Sequence, residues 1–120
     1  MSLLVYGIKN CNTVKSALTW LTEKKLDFEF HDYKSKGISE AKLKEWCSQA
    51  GWEDLINKRG TTWRQLPPAV QEKVKNQSAA IALMKEKTSV IKRPLIESGN
   101  RIVALGFDPE TYGKVLKNML

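Results

Sequence analysis

The spacing of hydrophobic residues changes twice within the first part of the chain. Residues 3–8 are an apolar run rich in strand-forming residues. Over residues 12–24 the apolar positions recur every three or four residues, which is typical of one face of a helix. Residues 28–33 then alternate between apolar and polar. The pattern predicts a strand, a helix and a second strand, joined most simply as a right-handed parallel crossover.

The middle of the chain, from about residue 39 to residue 88, carries helix signals only. Ser39 is suited to cap a helix that ends at Gly51. A mixed segment over residues 52–66 begins as a short turn or helix and continues as a polar stretch. Two more helices are predicted, one opened by Pro67-Pro68 and holding Val70 and Val74, the other beginning at Ser78.

The last part of the chain returns to strand and turn signals. Pro94 precedes a predicted strand, and the turn Ser98-Gly99-Asn100 leads to a return strand over residues 102–105. Asp108-Pro109 predicts a capped helix whose inward side chains are Tyr112, Val115, Leu116 and Met119.

A parallel strand–helix–strand unit followed by an antiparallel hairpin is typical of a thioredoxin-like α/β fold. We therefore predict a mixed four-stranded sheet. The prediction for domain organisation is one domain over residues 1–120, with an all-helical insertion at approximately 39–88.

Cys11 falls where the first strand gives way to the first helix. Unpaired backbone N–H groups and the helix dipole favour a thiolate at such a position. A thiol of pKa about 8.5 needs roughly 3 kcal/mol to become mostly ionised at neutral pH, and a helix terminus contributes at most about 2 kcal/mol. A cation is therefore expected nearby, from Lys9, Lys15 or, better, a distant arginine. The alternative is that Cys11 is an inert buried residue.

Composition narrows the classes of protein that the chain fits. Two cysteines, Cys11 and Cys47, cannot form a disulfide framework, which favours a reducing cytoplasm. Cys47 lies on an apolar helix face and is interpreted as a core residue, and His31 as an ordinary strand residue, so no metal site is predicted. No run approaches the roughly 20 apolar residues of a membrane span, and the chain leads into a strand instead of a signal peptide.

The net charge of +7 favours an anionic partner: glutathione, an oxyanion or a nucleic acid. The lysines are scattered through amphipathic helices, with no arginine-rich tract, so a nucleic acid is the least favoured of the three.

Four segments together resemble the arsenate-reductase-like (ArsC) family, most closely its bacterial YffB-like branch. They occur in the order found in the family, and the resemblance covers nearly the whole chain. The segments are Tyr6-Gly7-Ile8-Lys9-Asn10-Cys11-Asn12-Thr13-Val14, Phe30-His31-Asp32-Tyr33-Lys34, Asn57-Lys58-Arg59-Gly60-Thr61-Thr62-Trp63-Arg64 and Ile91-Lys92-Arg93-Pro94-Leu95.

This resemblance implies a thioredoxin/glutaredoxin-like fold with one active-site cysteine, which maps onto Cys11. Arg93 maps onto an arginine that binds the oxyanion and lowers the thiol pKa, and Pro94 onto the cis proline that borders the thiol. In arsenate reductases, glutathione and glutaredoxin complete the catalytic cycle. The family also includes transcriptional regulators that bind RNA polymerase, many with a Cys-x-x-Cys pair. Here the third residue after Cys11 is Val14.

The chain departs from true arsenate reductases at two positions. Asn57 stands where they carry an arginine, with Arg59 close by. Their final arginine is missing near the C-terminus, where Leu105-Gly106-Phe107 runs instead. Both differences weaken the expectation that arsenate is the substrate.

The main hypothesis is a thiol-dependent reductase in which Cys11 attacks a disulfide, a mixed disulfide or an oxyanion such as arsenate, and glutathione resolves the adduct. The backbone amides of Asn12 and Thr13 are expected to cradle the anion. No bound cofactor is expected, because glutathione serves as a co-substrate. Further candidate binding residues are Lys9, Asn10, Arg59, Arg64 and Pro94.

Alternatives remain for both the residues and the function. Asn10 and Thr13 are also suited simply to cap the helix, and Arg59 and Arg64 to be exposed loop arginines. A second functional hypothesis is a non-catalytic regulator of the same family that binds RNA polymerase. The third, a basic protein that binds nucleic acid, ranks last.

Overall fold

The computed structural model describes residues 3–117. The chain folds into two compact units. Of the described residues, one unit contains 3–36 together with 93–117, and the other contains Gly37–Lys92. The description of the chain as a single domain with an insertion at approximately 39–88 stays a prediction.

The first unit is built on one mixed sheet. Its strands are β1 (Leu3–Gly7), β2 (Phe28–Asp32), β3 (Leu95–Ser98) and β4 (Arg101–Leu105), and they lie in the order β2-β1-β3-β4. β1 is parallel to β2 and antiparallel to β3, and β3 and β4 form an antiparallel hairpin. Gly99 and Asn100 at the hairpin turn both have positive φ, 56° and 66°, as a tight two-residue hairpin turn requires. The predicted four-stranded sheet is confirmed.

In the part of the chain that the structure describes, three helices accompany this sheet: α1 (Asn12–Glu23), α2 (Tyr33–Lys36) and, after β4, α8 (Pro109–Val115). The apolar stripe of α1 packs on the sheet together with the buried side of α8. These side chains form one hydrophobic core, made of Leu3, Val5, Ala17, Leu21, Leu26, Ile96, Ala104, Tyr112 and Leu116.

Some predictions about this unit were wrong in detail. β1 and α1 each end one residue earlier than predicted, and β4 begins one residue earlier, at Arg101. The second strand ends at Asp32, because the Asp32 carboxylate accepts a hydrogen bond from the Lys34 N–H (3.0 Å) and the chain turns into α2. Val115 is 46% exposed instead of facing inward, since the two-turn helix α8 buries only the narrow face that carries Tyr112 and Leu116. Met119 lies outside the described residues.

The second unit is helical, and it buries apolar side chains of its own, among them Leu43, Trp46 and Met84. Ser39 and Asn76 cap the helices α3 (Glu40–Ala50) and α7 (Gln77–Glu86), because the side chain of each accepts a hydrogen bond from a backbone N–H. The predicted cap at Ser39 is confirmed. The helix that was predicted to begin at Ser78 begins one residue earlier. Val74 lies at the C-cap of α6 instead of inside it. The helices are α3 (Glu40–Ala50), α4 (Trp52–Leu55), α5 (Thr61–Arg64), α6 (Pro68–Lys73), α7 (Gln77–Glu86) and a 3₁₀ turn, Thr88–Val90.

Gly7 controls how closely α1 approaches the end of β1. A Cβ atom built on Gly7 would lie 2.9 Å from Cγ2 of Val14, which is closer than real carbon contacts allow. Val14 is fully buried and its branched side chain has little freedom to move aside. The missing side chain at residue 7 therefore lets the first turn of the helix pack against the strand.

We expect Gly7→Ala to lower the free energy of unfolding by about 1–3 kcal/mol, because the added methyl group overpacks this contact. Guanidinium unfolding followed by circular dichroism measures the change. Gly113→Ala is the matched control: it lies in α8 with open space where the methyl group would go, so alanine there should be neutral or stabilising by up to about 1 kcal/mol. Equal stability of Gly7→Ala and the wild type would contradict the packing explanation.

Candidate active site

The sheet register brings three segments of the first unit to one edge. β1 and β2 end there together, since Gly7 pairs with Asp32 in parallel register. β3 runs the opposite way and begins at the same edge, where Leu95 pairs with Tyr6. Three residues just beyond these strand ends are therefore brought to a common region. They are Cys11 and Tyr33, which follow the parallel strands, and Arg93, which precedes β3.

Cys11 occupies the N-cap of α1, with extended backbone (φ −119°, ψ 124°). Its side chain is half-buried at the start of the helix. Burial is the largest influence on the thiol and by itself raises its pKa. The Val14 N–H, the hydrogen bond and charge of Arg93, and the Thr13 N–H outweigh it, so the pKa of Cys11 lies below its ordinary value.

Arg93 supplies the cation that a reactive thiol at this position requires. It is half-buried, and its guanidinium favours the Cys11 thiolate both by a hydrogen bond and by its charge. The Arg93–Pro94 peptide bond is cis, as the family resemblance implied. The Pro94 carbonyl accepts a hydrogen bond from the Gly106 N–H (2.8 Å), which fastens this segment to the end of β4.

Tyr33 is a third member of the cluster, and the sequence did not single it out. Its side chain is fully buried, and its hydroxyl is hydrogen-bonded to Arg93. Burial raises the pKa of Tyr33, with smaller effects in the opposite direction from Arg93 and in the same direction from the Cys11 and Asp32 charges. The phenol therefore stays protonated at neutral pH. The available signal was its position directly after β2, at the carboxyl edge of the parallel pair.

The predicted binding residues around the thiol lie on the surface of this unit. Lys9 and Asn10 are exposed in the turn before Cys11, and the side chains of Asn12 and Thr13 are exposed in the first turn of α1. Thr13 contributes its N–H at the sulfur, but the second amide there is that of Val14. An N-cap side chain faces the amides two and three positions later, which accounts for Val14. An anion-binding role for these residues stays a prediction.

Arg59 and Arg64 belong to the other unit, and the structure distinguishes between them. Both are exposed, but only Arg59 contributes to an open cavity of about 480 Å³, whereas Arg64 lies in α5. The Arg59 N–H donates to the Asn57 side-chain oxygen (3.2 Å), which folds this loop tightly. The cavity has mixed charge, and its lining residues are Glu53, Asp54, Ile56, Asn57, Lys58, Arg59 and Lys92.

The second cysteine and the histidine are placed as predicted. Cys47 is only 5% exposed on the buried face of α3, and burial raises its pKa, so it is a core thiol. His31 lies on β2 with its ring 5.0 Å from the Tyr6 ring. Over residues 3–117, no three His, Cys, Asp or Glu side chains are grouped to hold a metal ion. Within the same range no helix is both long and apolar enough to cross a membrane.

Comparison with known proteins defines the family. The model of the ArsC family matches residues 6–115, so this chain belongs to the ArsC family. The solved structure of the YFFB (PA3664) protein is 43% identical with a TM-score of 0.87, covering 95% of this chain and 98% of its own. An arsenate reductase (ArsC) related protein from Brucella melitensis is 40% identical with a TM-score of 0.78, covering 98% and 96%. The predicted thioredoxin-like α/β fold is confirmed.

Two curated relatives add to this picture. An uncharacterised protein of Haemophilus influenzae is 40% identical over 110 residues, which are 92% of this chain and 95% of that protein. The global transcriptional regulator Spx of Streptococcus pyogenes is 27% identical over 103 residues, or 84% and 75% of the two chains. The similarity to Spx is thus more distant.

We expect Arg93→Ala to raise the pKa of the Cys11 thiol by at least about one unit. Without the adjacent cation, fewer interactions counter the increase in pKa that burial causes. Below the thiol pKa, the rate of alkylation by iodoacetamide follows the thiolate fraction, so at pH 6 it should fall about tenfold or more. Arg101→Ala, which removes an exposed arginine of β4, is the control and should leave the pH profile unchanged. A profile for Arg93→Ala that superimposes on that of the wild type would remove Arg93 from this role.

Proposed function

We propose that this protein is a thiol-dependent reductase with Cys11 as its single nucleophile and glutathione as its co-substrate. The observation that carries the proposal is the placement of a half-buried sulfur at a helix start against the Arg93 guanidinium. A thiolate stabilised in this way is nucleophilic at neutral pH. Membership of the ArsC family, and the likeness to an arsenate reductase related protein, support the same class of chemistry.

The proposed reaction takes place in two thiol–disulfide exchanges. The Cys11 thiolate attacks one sulfur of a disulfide, a bond forms between the two sulfurs, and the other half leaves as a thiolate that takes a proton from solvent. The thiolate of reduced glutathione then attacks this mixed disulfide, releases the Cys11 thiolate and forms a new disulfide. When the substrate is a glutathione mixed disulfide, the products are the free thiol and oxidised glutathione.

Glutathione fits the site for reasons of both charge and redox balance. Val14 occupies the position of the second thiol in a Cys-x-x-Cys pair, so the thiol that resolves the adduct comes from outside. Glutathione is anionic at neutral pH, and the net charge of +7 favours such a partner. A cytoplasmic location, where this thiol is abundant, and glutaredoxin as a protein partner complete the proposal.

Disulfides and glutathione mixed disulfides are the favoured substrates, ahead of arsenate. Binding of a tetrahedral oxyanion relies on several arginine donors. Asn57 stands where the arsenate reductases carry one of these arginines, and Leu105-Gly106-Phe107 where they carry another. The Cys11–Arg93 pair can react with a disulfide without either of these additional arginines.

Intact-mass measurement after incubation with oxidised glutathione tests the proposal. We expect one glutathione adduct per chain, on Cys11, and its complete discharge by excess reduced glutathione. Cys11→Ser should form no adduct, while Cys47→Ala should react like the wild type because Cys47 is buried. Failure of the wild type to form any adduct at neutral pH would contradict the proposed reaction.

The similarity to Spx supports a second candidate function, a regulator that binds RNA polymerase without catalysis. Its test is co-elution of the purified chain with RNA polymerase in size-exclusion chromatography. Under this alternative the complex forms equally well with Cys11→Ser, and incubation with oxidised glutathione yields no adduct. Under the main proposal no complex forms.

A further inference from the structure

We propose that Tyr33 is a positioning residue whose hydroxyl accepts a hydrogen bond from the Arg93 guanidinium and so holds this cation at the Cys11 sulfur. The proposal rests on the proposed function, in which the Cys11 thiolate is the nucleophile. It assigns a specific task to a tyrosine that reaches the site from the end of β2.

The sheet geometry places Tyr33 where this task requires it. The parallel pairing of Gly7 with Asp32 brings the residue after Asp32 to the edge at which the chain leaves β1 toward Cys11. Leu95 pairs with Tyr6, so Arg93, two residues before Leu95, reaches the same edge from β3. The bond from the Lys34 N–H to the Asp32 carboxylate ends the strand and starts α2 at Tyr33. The phenol ring is fully buried.

The chemistry of the two side chains fixes the direction of their hydrogen bond. A guanidinium has five N–H donors and no acceptor, so the Tyr33 oxygen must accept. The same guanidinium donates to the Cys11 sulfur. A flexible arginine side chain held by one partner samples many rotamers, whereas a second contact with an immobile phenol restricts it. Charged groups that act on the phenol include Arg93, the Cys11 thiolate and Asp32.

Tyr33→Phe tests this assignment because it keeps the ring and removes only the hydroxyl. We expect the pH profile of iodoacetamide alkylation of Cys11 to move to higher pH, with a fall of about three- to tenfold in the rate at pH 6. Superposition of the Tyr33→Phe profile on that of the wild type would overturn the proposal. Thermal unfolding by circular dichroism verifies that the variant is folded at the assay temperature.

The same substitution in the Arg93→Ala background separates positioning from a direct effect on sulfur. If Tyr33 acts through Arg93, Tyr33→Phe produces no further change once Arg93 is absent. An equal change in both backgrounds would overturn the proposal, since Tyr33 would then act on the thiol without the arginine.

Tyr112→Phe is the matched control for loss of a buried tyrosine hydroxyl. Tyr112 is 1% exposed, its hydroxyl donates to the Gly106 carbonyl (2.6 Å), and its ring packs against Trp20 and Phe107. It should lower thermal stability as Tyr33→Phe does and leave the alkylation profile in place. If Tyr112→Phe moves the alkylation profile as far as Tyr33→Phe does, both shifts result from a general loosening of the structure. That outcome would overturn the specific role of Tyr33.

Failure of this proposal is distinguishable from failure of the proposed function. If the wild-type thiol titrates at the ordinary value for cysteine, the reactive-thiol function fails and takes the positioning role with it. If the wild-type thiol titrates below that value and the Cys11 thiol of Tyr33→Phe titrates at the same pH, the positioning role alone fails.

Discussion

The site depends on an opposition between burial and charge at the Cys11 sulfur. Withdrawal from water is the largest single influence on the thiol pKa and raises it, while two backbone amides and one guanidinium together reverse the balance. The opposition is useful chemically. A half-buried sulfur experiences each donor more strongly than a sulfur in bulk water would, and it remains accessible to a reacting disulfide.

At the start of α1 a sulfur faces the free backbone amides, a place that an oxygen takes in three other helices of the described residues. Within residues 3–117, three other helices carry side chains that accept a backbone N–H at their N-cap: Ser39 before α3, Asn76 before α7 and Asp108 before α8. Before α1 the N-cap side chain is that of Cys11, and its thiolate is favoured by the Thr13 and Val14 amides. The close packing of Val14 over Gly7, together with the long apolar stripe of α1, supplies the stability that holds this helix start in place.

Local sequence signals were sufficient for the elements that local forces determine. The apolar spacing of α1 predicted that Cys11 lies at a helix start. The turn at Gly99 and Asn100 predicted that β3 pairs with β4. Arg93 was assigned through the family resemblance, because its partner lies more than eighty positions away in the chain. Tyr33 was missed because the second strand was predicted to include it, and only the contact of the Asp32 carboxylate with the Lys34 N–H shows where the strand ends. The Val14 amide was missed because the apolar pattern marks this residue as a core position and carries no sign of where its N–H points.

Val14 connects the architecture to the redox chemistry. It is fully buried, its side chain lies against Gly7, and its amide favours the thiolate. In a Cys-x-x-Cys protein this position carries the second thiol, which closes an internal disulfide. Here a side chain committed to the packing of helix on strand takes that place. The same residue therefore strengthens the nucleophile and removes its internal partner, so the proposed reaction draws its second thiol from a separate molecule.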